Sequence, residues 1–397
     1  MNYKKKFGTL DALLRYPYIS YKLQHLDTDY FFVFPFYATG GAERVHLEIL
    51  KLIGNGTKPA CFITEASKNS GFLTEFMEVS TVIYLSRWGT KASFVPKMAQ
   101  KIAKVINQRK KPVVFGSNSQ FFYDLIPFLQ EHVRVIDLIH SFVEKDNEGL
   151  ENYSLPVADR INARIVLGEY HKGKLIALYE RHHRKESLAK NIHIISNKGP
   201  VIINKKTKTV DSFRRKLHIL FVARNSPEKR PDVFFSIAQT CIDKKLPVHF
   251  TVVGDFDIYR KSHPQIDFKG HITKKSELYA IYDSAHLIVC TSIFEGFPMV
   301  FVEAMTFGVI PLSVDVGEIP NYISQDRETG FLISNTHDTV QLTTSFYKQI
   351  SVIVHNKEIL LKYSQNCAKL VEREFNSDKF SQAYKKLILD TSNESID

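Results

Sequence analysis

The chain has 397 residues, 44% of them hydrophobic and 24% charged, which suits two globular domains of about 150–200 residues each. The formal net charge of +11 indicates an anionic partner, and composition leaves nucleic acid, an anionic membrane surface and a phosphorylated ligand open. The four cysteines form no CxxC pair, the N-terminus lacks the apolar core of a signal peptide, and no apolar run approaches the ~20 residues that span a bilayer. We therefore expect a cytoplasmic protein, at most peripheral on a membrane, without a disulfide framework or zinc site.

In the first half of the chain, short β-branched or aromatic runs alternate with helical patterns. The predicted strands cover residues 30–34, 60–64, 81–85, 112–116, 133–139, 163–167 and 191–195. Amphipathic helices are predicted over 42–53 and over 93–111, the second with lysines around its polar side. This alternation predicts a parallel sheet built from βαβ units.

The polar, basic stretch 196–216 interrupts the alternation, and we place an interdomain linker at 201–216. The alternation then restarts, with predicted strands over 217–223, 248–254, 286–291, 309–313 and 330–333. Two helices follow over 358–375 and 377–390, the last with Ser377 as its N-cap.

We therefore predict an α/β fold of two doubly wound, Rossmann-like domains that face each other across a cleft. The expected domains are 1–200, with 1–28 as an extra segment, and 217–375; the segment 376–397 is expected to cross back to the first domain. Ligands of such sheets bind beyond the carboxyl ends of the strands, so functional residues should directly follow strands.

The stretch FEGFPMVFVEAMTFG, residues 294–308, places two carboxylates in an otherwise apolar segment. A helix starting near Pro298 would leave Glu295 in the preceding loop and Glu303 in the second turn. With the close approach that Gly296 allows, the segment can present a carboxylate, backbone N–H donors and a second carboxylate in one line. A nucleotide sugar offers the matching series of sugar hydroxyls, diphosphate and ribose hydroxyls. The residues alone equally allow Glu303 to be a helix-surface residue and Glu295 a favourable charge near a helix N-terminus.

Together, Glu295-Gly-Phe-Pro and the following Glu303-Ala resemble the E-x7-E signature of glycosyltransferase family 4, retaining enzymes of the GT-B fold. Other segments are similar to further landmarks of that family: its R-x4-K segment, its N-terminal glycine loop and two C-terminal turns. These segments are FVARNSPEKRPD (221–232), ATGGAERV (38–45), VVGDF (252–256) and VDVGEIPNYI (314–323). The resemblance covers about residues 30–335 and departs at Asn321, where the family commonly has Glu, and after Asn197.

The resemblance implies a role for each matching residue. Glu303 would accept hydrogen bonds from the ribose, Glu295 would lie by the transferred sugar, and Arg224 and Lys229 would bind the diphosphate. His140, after the strand at 133–139, would also lie near the transferred sugar. The residues assigned to donor binding are Glu303, Gly296, Phe297, Pro298, Gly40, Gly41, Gly254, His271 and Ile272. From the residues alone, the alternatives are that the basic loop is solvated, that the glycines make turns and that the histidine is structural.

Asp255-Phe256-Asp257 forms a DxD, a motif that holds a divalent metal in another glycosyltransferase fold. Here it follows a predicted strand at the usual place of a family 4 turn, and Arg224 and Lys229 already supply positive charge. We therefore expect a turn, no essential metal and no cofactor; the nucleotide sugar, linked to UDP or GDP, is a substrate.

The expected function is transfer of a sugar to a hydroxyl of a glycan or lipid-linked acceptor in cell-surface polysaccharide or lipopolysaccharide synthesis. The alternatives are a nucleotide-sugar epimerase and a catalytically inactive homologue that binds partners in glycan assembly. A nicotinamide dehydrogenase is disfavoured because GxGxxG is absent after the first strand, and no recognised nucleic-acid module is present. The helix over 93–111 is either a solvated face or a site that docks on the inner face of the plasma membrane.

Overall fold

A computed structural model describes residues 3–54, 56, 58–142, 149–200, 202, 208–214 and 216–389, with side chains described from residue 14 onward. The chain divides into two compact units. The first unit comprises residues 1–195 and 378–397, and the second comprises residues 196–377.

The first unit contains a parallel sheet of seven strands in the order β3-β2-β1-β4-β5-β6-β7. The strands are β1 Tyr30–Phe34, β2 Ala60–Ile63, β3 Thr81–Tyr84, β4 Val113–Ser117, β5 Arg134–Ile139, β6 Ala163–Val166 and β7 Ile192–Ile194. β1 pairs with β2 on one side, Phe31 opposite Ala60, and with β4 on the other, Tyr30 opposite Val113. The strand order reverses at β1, so the loops after β1 and β4 flank a topological switch point, the usual ligand site of such sheets.

The helices of the first unit lie around this sheet. They are α1 Tyr3–Gln24, α2 Gly41–Ile53, α3 Leu73–Val79, α4 Arg87–Thr90, α5 Val95–Ile106, α6 Gln120–Leu125, α7 Leu150–Tyr153 and α8 Glu169–Arg181. Short 3-10 turns cover Ile126–Phe128, Leu155–Arg160 and Glu186–Asn191. Met98 and Ile102 of α5 share one core with Phe31 and Phe62. The helix predicted over 93–111 is therefore present but shorter at both ends.

The second unit repeats the same topology with six parallel strands in the order β10-β9-β8-β11-β12-β13. The strands are β8 Leu217–Val222, β9 Val248–Val253, β10 Asp267–Phe268, β11 Leu287–Cys290, β12 Ile310–Val314 and β13 Phe331–Ile333. The order reverses at β8, between β9 and β11, so the loops after β8 and β11 flank its switch point. The predicted class of two doubly wound α/β units is confirmed; the prediction missed β10, which is too short to show a pattern.

The helices of the second unit surround its sheet. They are α9 Val210–Arg214, α10 Pro231–Asp243, α11 Asp257–Arg260, α12 Lys275–Ser284, α13 Met299–Thr306, α14 Ile319–Tyr322, α15 Thr339–His355 and α16 Leu360–Glu374. Short 3-10 turns cover Pro227–Lys229 and Lys357–Ile359. The predicted linker 201–216 lies partly outside the described residues; within it, α9 places Phe213 in the core of this unit.

The last helix, α17 Ser377–Leu389, extends into the part of the chain assigned to the first unit. Its Tyr384 is buried, with its ring 6.3 Å from that of Phe115 in β4. The helix already includes Ser377, so the predicted N-cap lies one residue too late. Among the described residues, no helix combines the length and apolar composition that crossing a membrane requires.

Candidate active site

The loops after β8 and β11 are joined by backbone hydrogen bonds at the switch point of the second sheet. The N–H of Ile293 donates to the carbonyl of Glu228 at 2.8 Å. The Thr291 hydroxyl donates to the carbonyl of Lys229 at 2.7 Å. Each loop therefore fixes the backbone of the other, and the side chains they carry have defined relative positions.

Two of the predicted residues, Lys229 and Glu295, form an ion pair on these joined loops. The Lys229 ammonium donates to Glu295 Oε1, and the Ser292 hydroxyl donates to the same oxygen at 2.7 Å. Both charged side chains are mostly buried, which strengthens their attraction relative to a surface pair. Glu295 balances the charge of Lys229 in the absence of a ligand. Lys229 is therefore a cation that an anionic ligand could contact.

The turn after β12 packs against the loop that carries Glu295. Gly317 has a φ of +58°, and a Cβ there would lie 1.9 Å from the carbonyl oxygen of Glu295. The Glu318 N–H donates to the carbonyl of Gly296 at 3.1 Å. Only glycine allows this close approach. The turn therefore packs directly against the backbone of the Glu295 loop and fixes its position.

Phe297 and Pro298, which the sequence assigned to donor binding, have clear local roles. The Phe297 ring stacks on Phe375 at 4.9 Å and lies at the same distance from Tyr322. Pro298 is the N-cap residue of α13. The aromatic packing anchors the loop, which leaves the backbone at Gly296 and Phe297, and not the ring, as the part suited to meeting a ligand.

Glu303 lies in the second turn of α13 and is only 4% exposed, so its interpretation as a helix-surface residue is wrong. The hydroxyl of Tyr282, a buried residue of α12, donates to Glu303 Oε2 at 3.3 Å. A buried carboxylate is costly unless hydrogen-bonded, and the Tyr282 hydroxyl supplies one such bond to Glu303.

Arg224 is not part of this arrangement. Its side chain is 76% exposed, and its ion pair is with Glu228, at 3.6 Å. The structure thus brings together Lys229 and Glu295 but leaves Arg224 in solvent at the start of the same loop.

Arg230 is a structural residue that the sequence analysis missed. It is 7% exposed and has a left-handed backbone with a φ of +48°. Burial lowers the pKa of its guanidinium. Its guanidinium donates to the carbonyl of Thr291, to those of Ser292 at 3.0 Å and Thr336 at 2.8 Å, and to Asn335 Oδ1 at 2.6 Å. Arg230 therefore ties together the loops after β8, β11 and β13; in the sequence, a Lys-Arg pair looks like any solvated basic loop.

The turns after β9 and β10 contain the remaining predicted residues of the second unit. Gly254 has a φ of +134°, and a Cβ there would lie 2.1 Å from the carbonyl oxygen of Ala223, so the turn requires glycine. Its N–H donates to the carbonyl of Gly270 at 2.9 Å. His271 is exposed and Ile272 is half-buried in the loop that follows.

The two aspartates of the DxD occupy a turn and the start of α11. The Asp255 carbonyl accepts a hydrogen bond from Asn225, at 3.0 Å, and the Asp257 carboxylate pairs with Arg260 of the same short helix, at 2.9 Å. Within the described part of the chain, no three His, Cys, Asp or Glu side chains form a group that could hold a metal ion.

In the first unit, Gly40 and Gly41 form the start of α2 after β1. Gly40 is the N-cap and Gly41 the first helical residue. A Cβ on Gly40 would lie 2.0 Å from a carboxylate oxygen of Glu43, so this side chain folds back over the glycine. The helix start is thus compact, and an anionic ligand there would have to displace Glu43.

His140 follows β5 and contacts a second histidine that the sequence analysis missed. Its Nε2 lies 3.1 Å from Nε2 of His46 on α2. Burial lowers the pKa of His140 to about 4, with a further contribution from His171, and lowers that of His46 well below its usual value. His46 stands among apolar residues of an amphipathic helix, where nothing in the sequence marks it as the partner of His140.

Comparison with known proteins supports a glycosyltransferase architecture. Residues 203–370 match the family model "Glycosyl transferases group 1". An α-1,4-N-acetyl-D-galactosaminyltransferase of Campylobacter jejuni, named for a diNAcBac-PP-undecaprenol substrate, is 24% identical over 253 residues, 62% of this chain and 64% of the relative. The poly(ribitol-phosphate) α-N-acetylglucosaminyltransferase of Staphylococcus aureus is 25% identical over 194 residues, 47% of this chain and 36% of the relative. The matches therefore span less than two thirds of either curated relative.

The likeness to solved structures covers more of the chain. Anabaena HepE in complex with UDP superposes with a TM-score of 0.70 at 16% identity, over 90% of this chain and 99% of that one. The protein therefore has the GT-B fold, with two Rossmann-like units. The group 1 glycosyltransferase match falls in the second unit, which contains the Lys229–Glu295 pair.

Proposed function

We propose that the protein is a retaining glycosyltransferase that moves a sugar from a UDP- or GDP-linked donor to a hydroxyl of a glycan or lipid-linked acceptor. The observation that supports this most is the Lys229–Glu295 pair on joined loops at the switch point, with the buried Glu303 on the following helix. Synthesis of cell-surface polysaccharide or lipopolysaccharide is the setting that fits such a reaction, and the names of the relatives agree with it.

In this proposal Lys229 neutralises the charge that grows on the leaving diphosphate as the glycosidic bond stretches. Stabilisation that increases toward the transition state raises the rate, whereas equal binding of ground and transition state does not. Arg224 is free to swing from Glu228 to the diphosphate because its side chain is exposed. Glu303 accepts hydrogen bonds from the ribose hydroxyls, and Glu295 contacts the transferred sugar once Lys229 turns to the phosphate.

Retention of configuration is proposed to occur by front-face substitution. The acceptor hydroxyl attacks the anomeric carbon from the side that the diphosphate leaves, and the departing phosphate oxygen takes the acceptor proton. No carboxylate is assigned as a covalent nucleophile. Proton NMR of the first-formed product distinguishes retention from inversion, because the coupling of the anomeric proton differs between the two configurations.

The function is tested first by binding and then by turnover. A ligand specific for the folded state raises the melting temperature, so a thermal-shift screen with UDP, GDP, ADP and their sugars identifies the donor. That donor is then incubated with oligosaccharide and undecaprenyl-diphosphate-linked acceptors. We expect sugar from a labelled donor to appear on the acceptor. Conversion of donor without acceptor would favour a nucleotide-sugar epimerase, and binding without any turnover would favour a catalytically inactive partner in glycan assembly.

Metal independence is a separate part of the proposal. Activity should persist in EDTA because Lys229 and Arg224 carry the positive charge that a metal would otherwise supply. Loss of activity in EDTA, with recovery on addition of Mn²⁺, would contradict this and give a role to Asp255 and Asp257.

We also propose peripheral docking on the anionic inner face of the plasma membrane through α5 and α1. Lys97 and Lys104 of α5 are exposed, and α1 presents Tyr18 and Tyr21 to solvent. Lys101, by contrast, lies 4.4 Å from the ring of Tyr16, so it is less available. Each lysine near an anionic surface contributes about 1 kcal/mol, and interfacial tyrosines suit the headgroup region.

Vesicle binding tests the docking surface. Changing Lys97 and Lys104 to Glu should lower co-sedimentation with phosphatidylserine vesicles more than tenfold, and salt should weaken wild-type binding. The matched control changes Lys244 and Lys245 of the second unit, which are also exposed, to Glu. Equal losses in both double variants would show a net-charge effect and no defined docking face.

A further inference from the structure

Two imidazoles, the buried His46 and the half-buried His140, are in contact in the first unit, and His46 has no role in the proposed function. His46 is fully buried on α2, and its ring stacks on Phe34 of β1, 4.1 Å apart and within 3° of parallel. Its Nε2 lies 3.1 Å from Nε2 of His140, which directly follows β5. Because the aromatic stack fixes the plane of His46, His46 in turn restricts the orientation of the His140 ring.

The two rings share a single proton across this contact. Burial lowers the pKa of both histidines, and the neighbouring His171 of α8 lowers that of His140 further, so both are neutral near pH 7. A hydrogen bond between two neutral imidazoles needs one nitrogen that donates and one that accepts. The tautomer of one ring therefore dictates that of the other.

The other nitrogen of His46 decides which ring donates. Nδ1 of His46 is buried and has no hydrogen-bond partner among the described residues. A proton there would leave a buried N–H donor unpaired, which is rarer and costlier than an under-used acceptor. The His46 proton therefore belongs on Nε2, where it is donated to Nε2 of His140, and the proton of His140 belongs on Nδ1.

We propose that His46 is a positioning residue that holds His140 as its Nδ1–H tautomer, so that His140 presents a hydrogen-bond donor to an oxygen of the transferred sugar. The identity of that ligand rests on the proposed function, whereas the tautomer rests on the contacts alone. An Nδ1–H group selects hydroxyl or carboxylate oxygens and disfavours an ammonium group at the same place. His46 thereby contributes to sugar selectivity without touching the sugar.

The tautomer is measurable in the full-length protein. Long-range ¹H–¹⁵N NMR of histidine-labelled protein distinguishes protonated from unprotonated ring nitrogens, and a His140→Gln variant assigns the signals. We expect Nδ1–H for His140 in the wild type and in His46→Gln, whose terminal amide can still donate to Nε2. We expect His46→Leu, which fills space but cannot donate, to lose that preference. An Nε2–H signal for wild-type His140, or an unchanged tautomer in His46→Leu, would overturn the proposal.

Kinetics provide the second readout. His46→Leu should lower kcat/KM about tenfold, the effect of one hydrogen bond, and His46→Gln should restore most of it. A purely packing role predicts instead that Leu is tolerated better than Gln, since the site is apolar around Phe34. Should the NMR result hold while no donor sugar is turned over, the proposed function fails and the positioning role of His46 stands. Should His46→Leu not fold, the wild-type spectrum still decides whether His140 carries its proton on Nδ1, and an Nε2–H signal there overturns the proposal.

Discussion

Replacing Arg230 with alanine tests whether one guanidinium holds the candidate active site together. The side chain is buried and donates to three carbonyl oxygens and one side-chain amide oxygen on the loops after β11 and β13. Arg224→Ala is the matched control. It removes the same chemical group from the same loop, but its side chain is 76% exposed and its ion pair is with Glu228.

The expected magnitude follows from two opposing terms. Hydrogen bonds to a charged group contribute about 1.5–3 kcal/mol each, but burying the charge costs several kcal/mol, so the four contacts do not simply add. We expect Arg230→Ala to lower the free energy of unfolding by about 3 kcal/mol, and Arg224→Ala by no more than about 0.5 kcal/mol. Arg230→Gly should be about 1 kcal/mol less damaging than Arg230→Ala, because glycine adopts the φ of +48° without strain.

Chemical denaturation followed by two signals measures these differences. Far-UV circular dichroism follows the helices of both units, whereas Trp88, the single tryptophan, lies buried in the first unit and reports on that unit by fluorescence. Arg230→Ala should shift the circular dichroism transition more than the fluorescence transition. If Arg230→Ala and Arg224→Ala are equally stable, the guanidinium does not hold the loops. A more stable alanine than glycine variant would contradict the strain argument.

Three further changes test the chemistry of the second unit. Glu303→Ala should weaken nucleotide binding at least tenfold by calorimetry, since the two charge-assisted hydrogen bonds proposed to the ribose would be lost, while the exposed Glu277→Ala should leave it unchanged. Equal affinities would refute the ribose assignment. Lys229→Ala should lower kcat more than it weakens ground-state donor binding, whereas Lys244→Ala should change neither. An effect of Lys229→Ala on binding alone would argue against a transition-state role. Burial, helped by nearby positive charge, lowers the pKa of His286 to about 4, so the folded state binds fewer protons than the unfolded state below pH ~6.5. The free energy of unfolding should therefore decrease as the pH is lowered from about 6.5 to 4, and it should decrease less steeply in His286→Gln. Urea titrations at several pH values measure it, and an identical pH dependence in the two proteins would exclude this contribution.

The strands, and their alternation with helices along the chain, could be predicted from local sequence. Parallel strands buried on both faces consist of short β-branched and aromatic runs. YFFVF and LHILFV are of this kind, and each forms the strand at which its sheet order reverses. The spacing of Glu295 and Glu303 around Pro298 likewise depends only on the start of one helix. Both features are properties of contiguous residues, so neighbouring side chains suffice to specify them.

Tertiary structure alone decided which side chains meet. Lys229 and Glu295 lie 66 positions apart, His46 and His140 lie 94 apart, and Arg230 bonds to residues more than 100 positions further along the chain. No periodicity links such residues, because each contact arises only when parallel strands place their carboxyl ends at one edge of a sheet. The hydrogen-bond partner of Glu303 is likewise distant in its helix assignment, since Tyr282 belongs to α12 and Glu303 to α13. Candidate site residues could thus be named from local sequence where a motif contained them, whereas the residues that hold them in place became visible only after the sheets had assembled.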